Sequence, residues 1–250
     1  MSLALVSYVP RSLAAASMAA LVCWACEADI PAGPDSQVPV VQALLVLGDS
    51  TQTAWVEWRL PADSTATSDV RPVPPALVQL WLIRPAGDSV PLGPVAGTPG
   101  KFDAISAVTA GGTYLLHGTV AGRPVAGITV VPGPLDIRAP VGDTVSIGAA
   151  CYVFCPFPYR WFAAGTDAYW LTQTAVGPPR LLPPYAPAVT SDTAGVLQLL
   201  RVADTMKVFI YALDAHAAAF FLPANPKSSI TGLFGFFGSA SRVERWVIFQ

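Results

Sequence analysis

Ala54-Trp55-Val56-Glu57-Trp58-Arg59-Leu60 is the stretch that decides the fold. In an extended chain Ala54, Val56, Trp58 and Leu60 share one face, while Glu57 and Arg59 point the other way. This period of two predicts a strand with one face in a core and one in water. The same period recurs in residues 113–120, where Tyr114, Leu116 and Val120 alternate with Thr113, His117 and Thr119. Short apolar runs at residues 40–47, 76–84 and 126–131 predict further strands. Residues 62–75, rich in Ser, Thr, Asp and Pro, and residues 85–100, rich in Gly and Pro, are expected to be loops.

Pro132-Gly133-Pro134 interrupts the pattern, and the chain restarts at Leu135, so a domain boundary is placed there. Beyond it, strands are expected at residues 144–147, 159–162, 169–174 and 207–213. The last is apolar on both faces, with Val208, Ile210 and Ala212 opposite Phe209, Tyr211 and Leu213, and is expected to lie centrally in a sheet. Residues 177–187 hold five prolines and read as irregular, and residues 216–222 as one helical turn before Pro223. Glycines between aromatics in Gly232-Leu233-Phe234-Gly235-Phe236-Phe237-Gly238-Ser239 predict tight backbone packing before a last strand at residues 242–249. No long segment has a helical period, which points to an all-β fold of sandwich type in two domains, residues 38–134 and 135–250.

The chain is 53% hydrophobic and only 12% charged, against about 25% charged in ordinary soluble proteins. Its 14 basic and 16 acidic residues give a net charge of -2 with no block of one sign. Nucleic-acid binding is excluded on that ground, because neutralising a phosphate backbone takes clustered Lys and Arg.

At the N-terminus Arg11 precedes an apolar run, residues 13–25, which meets Cys26-Glu27 and a polar, Pro-containing stretch. As a helix that run of thirteen residues reaches about 20 Å, short of a hydrocarbon core of roughly 30 Å. It reads as an export signal over residues 1–25, followed by a tether over residues 26–37. The region resembles a bacterial lipoprotein signal, in which the cysteine after the apolar run becomes the lipidated first residue. Cys26, preceded by the small Ala25, fits that role, with Cys23 as the alternative. An ordinary cleaved signal, or a retained anchor that also uses residues 3–9, remains the competing reading.

Several ordered pieces resemble a family of bacterial lipoproteins known as "domain of unknown function 4249". They are Val40-Val41-Gln42-Ala43-Leu44-Leu45, Gly112-Thr113-Tyr114, Thr129-Val130-Val131-Pro132-Gly133-Pro134, Tyr159-Arg160-Trp161, Asp167-Ala168-Tyr169, Ala212-Leu213-Asp214 and Gly235-Phe236-Phe237-Gly238-Ser239. The resemblance implies an envelope lipoprotein built of two immunoglobulin-like β-sandwich domains behind the N-terminal signal or anchor. It implies association with outer-membrane transporters and supplies no catalytic residue.

Leu45-Val46-Leu47-Gly48-Asp49-Ser50 looks like the nucleophile block of GDS-type serine esterases, with Ser50 as nucleophile. That chemistry also needs a Gly-x-Asn-Asp block and an Asp-x-x-His. Here Asn225 follows Ala224, and Asp214-Ala215-His216 has one spacer too few, so a turn is the expected role. His117 and His216 are the histidines, and no His, Cys or carboxylate cluster has metal-ligand spacing, so neither a metal nor another cofactor is expected. His216 beside Asp214 is expected on a surface turn. Cys151 and Cys155 are expected to form a disulfide in an exported protein, two buried thiols being the alternative. Phe154, Phe157, Tyr159 and Trp170 are candidate binding aromatics, whereas Trp161 is expected in the core.

The expectation is therefore a non-enzymatic, membrane-anchored accessory subunit of a larger membrane protein complex, its body in the periplasm or at the cell surface. A glycan-binding sandwich using the Trp170 region is the alternative.

Overall fold

A computed structural model describes residues 38–59, 71–148, 151, 153–176, 188–201, 203–221 and 227–250. The signal segment with Cys23, the tether with Cys26, and the proline-rich residues 177–187 lie outside the described residues. The fold is all-β. In chain order the strands are β1 (Val38–Leu47), β2 (Thr51–Arg59), β3 (Arg71–Pro72), β4 (Val78–Ile83), β5 (Ser89–Pro91), β6 (Gly93–Pro94), β7 (Lys101–Ile105), β8 (Thr113–Val120) and β9 (Arg123–Val130). There follow β10 (Asp136–Ala139), β11 (Thr144–Ile147), β12 (Phe154–Phe162), β13 (Ala168–Val176), β14 (Ala188–Thr190), β15 (Ala194–Leu200) and β16 (Thr205–Leu213). A short helix, α1 (Ala215–Phe221), precedes the final strand β17 (Phe234–Phe249).

One large sheet runs β14-β13-β16-β17-β1-β2-β7-β6, with β11 beside β17 and β3 beside β2. Two smaller sheets, β5-β4-β8-β9 and β10-β12-β15, pack on it. The first core lies where Val41, Ala43 and Leu45 of β1 and Ala54 and Val56 of β2 meet Leu80, Leu82, Tyr114, Leu116 and Val125 of the four-stranded sheet. The second lies where Leu171, Met206, Val208 and Ile210 meet Phe157, Tyr159, Trp161 and Leu199 of the three-stranded sheet. Each is a sandwich core built from inward-facing alternate positions.

Strand β17 joins the two. Its first half pairs in parallel with β1, from Val40 opposite Phe234 to Leu47 opposite Ser241. Its second half runs antiparallel to β16, from Leu213 opposite Ala240 to Thr205 opposite Ile248, and takes β11 on its other edge. As its two apolar faces predict, β16 lies between β13 and β17.

Several elements differ from the sequence expectation. The stretch 85–100, expected to be loop, contains the short strands β5 and β6. β12 begins at Phe154 rather than 159, and β17 begins at Phe234 rather than 242. Its glycines serve close approach: a Cβ on Gly235, at φ +143°, would fall 1.9 Å from the Val41 carbonyl oxygen. A Cβ on Gly238 would fall 2.8 Å from the Ala217 amide and 2.9 Å from Asp214 Oδ1, so Gly238 lets α1 lie down on the sheet.

Candidate binding surface

The strands that build the cores also decide which side chains are left outside. Along β12 burial alternates strictly, with Cys155, Phe157, Tyr159, Trp161 inward and Phe154, Pro156, Pro158, Arg160, Phe162 outward. Phe157 and Tyr159, expected as binding aromatics, are therefore core residues; Tyr159 stacks on Trp161 at 4.2 Å, and Trp161 lies 5.5 Å from Tyr169. The reason is parity: Trp161 is 1% exposed, and every second residue before it shares its side. Phe154 is outward and 63% exposed, and Phe162, which the sequence reading did not single out, is 52% exposed.

Trp170 occupies the opposite outer face of the same sandwich, so it forms no platform with Phe154. Tyr169, its neighbour, belongs to the second core, whereas Trp170 packs with α1. Its ring stacks on Phe221 at 4.5 Å and lies 5.2 Å from Tyr211. Further along that face Lys207 lies over Trp246 and Arg242 over Phe209, and Lys207 pairs with Glu244 at 2.7 Å. These rings are already covered by ring or cation partners, which leaves little free face for a sugar at Trp170.

Cys151 and Cys155 form a disulfide with Cα atoms 5.3 Å apart. It ties the approach to β12 to its first inward position, and the Arg201 guanidinium donates to the Cys151 carbonyl at 2.9 Å.

Gly48-Asp49-Ser50 is the turn between β1 and β2, with Gly48 at φ +92° and the Asp49 amide donating to the Val46 carbonyl at 3.2 Å. Asp49 pairs with Arg242 at 2.8 Å, and the Ser50 hydroxyl makes no hydrogen bond to a described residue. Among the described residues no group of three or more His, Cys, Asp or Glu side chains could hold a metal ion.

Asp214 is not on a surface turn; it is 5% exposed. Its Oδ1 accepts from the Ala217 amide at 2.9 Å, capping α1, and from the Ser239 amide at 3.0 Å. Its Oδ2 accepts from the Thr129 hydroxyl and lies 3.9 Å from His216 Nδ1. Thr129 and Ser239 are themselves buried. Acid and hydroxyls thus stand together inside the fold, where the network joins β9, α1 and β17, while the His216 side chain beside them is 37% exposed.

The most conspicuous surface is the outer face of the four-stranded sheet. Register sets Ile83 of β4 opposite Leu115 of β8, and Leu115 opposite Ile128 of β9, in one row. Val130 stands opposite Thr113 on the same face and is 50% exposed, with Ile128 at 49%. In the next row Trp81, His117 and Ala126 are neighbours, the Trp81 and His117 rings 6.5 Å apart. The outward positions of β4, β8 and β9 carry no Asp, Glu, Lys or Arg. Single exposed apolar residues are ordinary, but a registered row of branched ones without an intervening charge is a candidate interaction surface. The sequence showed each residue; only the strand register brings them together.

No family model matches the chain, and no curated protein matches it. Among solved structures it is similar to a two fibronectin type-III domain segment from chicken tenascin, at 13% identity and a TM-score of 0.22, over 84% of this chain and 99% of that one. The FN1-FN3 domains of chicken CNTN1 match at 9% identity and a TM-score of 0.22, over 85% of this chain and 66% of that one. The architecture described above stands on the chain's own sheets and cores.

Proposed function

We propose that this chain is a non-enzymatic interaction module, anchored to a bacterial membrane through lipidated Cys26, that serves as an accessory subunit of a larger membrane protein complex. The uncharged row of Ile83, Leu115 and Ile128, with Val130 beside it, is the observation that carries the reading. Interface cores are depleted of charge and tolerate branched apolar side chains that water does not. A charged share of 12% leaves few side chains to oppose such docking. The N-terminal pattern and the resemblance to the lipoprotein family point the same way, placing the body in the periplasm or at the cell surface.

The test is affinity purification of the full chain from native membranes in a mild detergent, beside a Leu115→Lys/Ile128→Lys variant. The wild-type chain is expected to bring down a stoichiometric membrane partner, and the variant to lose at least tenfold of it while melting at an unchanged temperature. A lone monomer in gentle detergent, or capture that ignores the two lysines, overturns the proposal. Intact-mass measurement of the native protein checks the anchor, with diacylglycerol expected on Cys26.

A further inference from the structure

The strand pair β10 and β12 is interrupted by a bulge. Asp136 stands opposite Phe162 and Ile137 opposite Trp161, but Arg160 stands opposite Ala139, so Arg138 is the extra residue. The bulge borders a recess of about 310 Å³ lined by Arg138, Arg160, Trp161, Phe162 and Thr193. That volume lies at the lower end of small-ligand sites, which run from about 300 to 1,000 Å³.

The chemistry of the lining is specific. Asp136 engages Arg138 through Nε, at 2.8 Å, which leaves the two Nη groups of that guanidinium without a partner among the described residues. The Arg160 guanidinium makes no hydrogen bond or ion pair with any described residue. Two planar cations with open donors therefore stand on adjacent strands in a chain whose other charges are sparse. Beside them Phe162 offers an uncovered ring, half in solvent. Thr193 is held at the rim, its carbonyl accepting the Trp161 amide at 2.9 Å. A guanidinium pair matches a carboxylate in bidentate geometry, and an exposed aromatic ring packs on the C–H face of a saccharide.

We infer that this recess binds a ring-borne carboxylate, the acidic sugar unit of a uronic acid, with Arg160 and Arg138 on the carboxylate and Phe162 against the ring. The site is separate from the docking face of the four-stranded sheet, and its success or failure leaves that reading untouched. A free sugar acid and the acidic unit of a polysaccharide present the same chemistry.

Titration of the full chain by calorimetry with sodium galacturonate, neutral galactose, sodium sulfate and trigalacturonate tests this. Galacturonate is expected to bind saturably and galactose at least tenfold more weakly. Arg160→Gln and Arg138→Gln should each lower affinity at least tenfold without a change in melting temperature, and Phe162→Ala should weaken galacturonate while leaving sulfate unaffected. Tighter binding of trigalacturonate identifies a polymer as source, and equal binding a free acid. Absence of saturable binding, sulfate binding as tight as galacturonate, or affinity that survives Arg160→Gln overturns the inference.

Discussion

At the scale of the residue, Asp214 shows how much one buried carboxylate can organise. It caps α1 through Ala217, fixes Ser239 of β17 and takes the Thr129 hydroxyl of β9. Losing an N-cap costs about 1 kcal/mol, and each buried donor left unsatisfied about 1–3 kcal/mol. Asp214→Ala is therefore expected to destabilise the chain by about 3–5 kcal/mol in urea denaturation, and a cost below about 1 kcal/mol would show the network to be ornamental. Gly238→Ala presses a methyl group into the same junction and should cost about 1–3 kcal/mol by overpacking. Two groups report burial through pH. Desolvation raises the Glu57 carboxyl above its ordinary value of 4.5 and the Tyr169 phenol above 10.0. Because a raised acid binds its proton more tightly when folded, its contribution is present below the unfolded pKa and lost as pH climbs through the folded one. Melting temperature should thus fall as Glu57 ionises, and Glu57→Gln should flatten the curve in the weakly acidic range; an identical pH profile for the variant contradicts this. Tyr169 adds a second loss only in the alkaline range.

At the scale of the element, legibility follows from whether a strand has one wet face. β2 and β8 alternate apolar with polar residues, and their faces can be read off directly. β12 conceals itself, because Pro156 and Pro158 read as breakers. The Trp161 amide donates toward β15, so odd positions direct their amides there, and the prolines turn their nitrogens to the other edge, where β10 pairs only from Arg160 onward. A proline without an N–H is harmless on an unpaired edge and discourages further pairing. Once Trp161 is placed inside, the same parity sorts Phe157 and Tyr159 inward and Phe154 and Phe162 outward, a signal the aromatic count alone does not contain. The recess at Arg138 and the row at Leu115 arise from a bulge and from register, which no single segment encodes. The disulfide closes a loop so short that its loss, in a Cys151→Ser/Cys155→Ser variant, should lower stability by only about 2 kcal/mol. Denaturation with and without reductant measures it, and loss of all folded signal on reduction would contradict so local a role.

At the scale of the whole molecule, two hydrophobic cores share one sheet. Phe237 sits in the first core and Val247 in the second, ten residues apart on the same strand. Unfolding either sandwich strips a partner from β17, so calorimetry of the chain should record a single transition; two resolved peaks would show the cores to be independent. Residues 242–250 carry the pairing with β16 and β11 but none of the register with β1, so their removal should unravel the second core first. The parallel pairing of β1 with β17 also sets an order of events. A polypeptide that emerges amino end first presents β1 long before β17, the neighbour on its second edge. One edge of β1 must wait, solvated and available to any passing strand, until the sixteen residues of β17 arrive. The molecule therefore finishes its central sheet only after β17 has cleared the ribosome or the export channel, and its exposure to misassembly is greatest just before that moment.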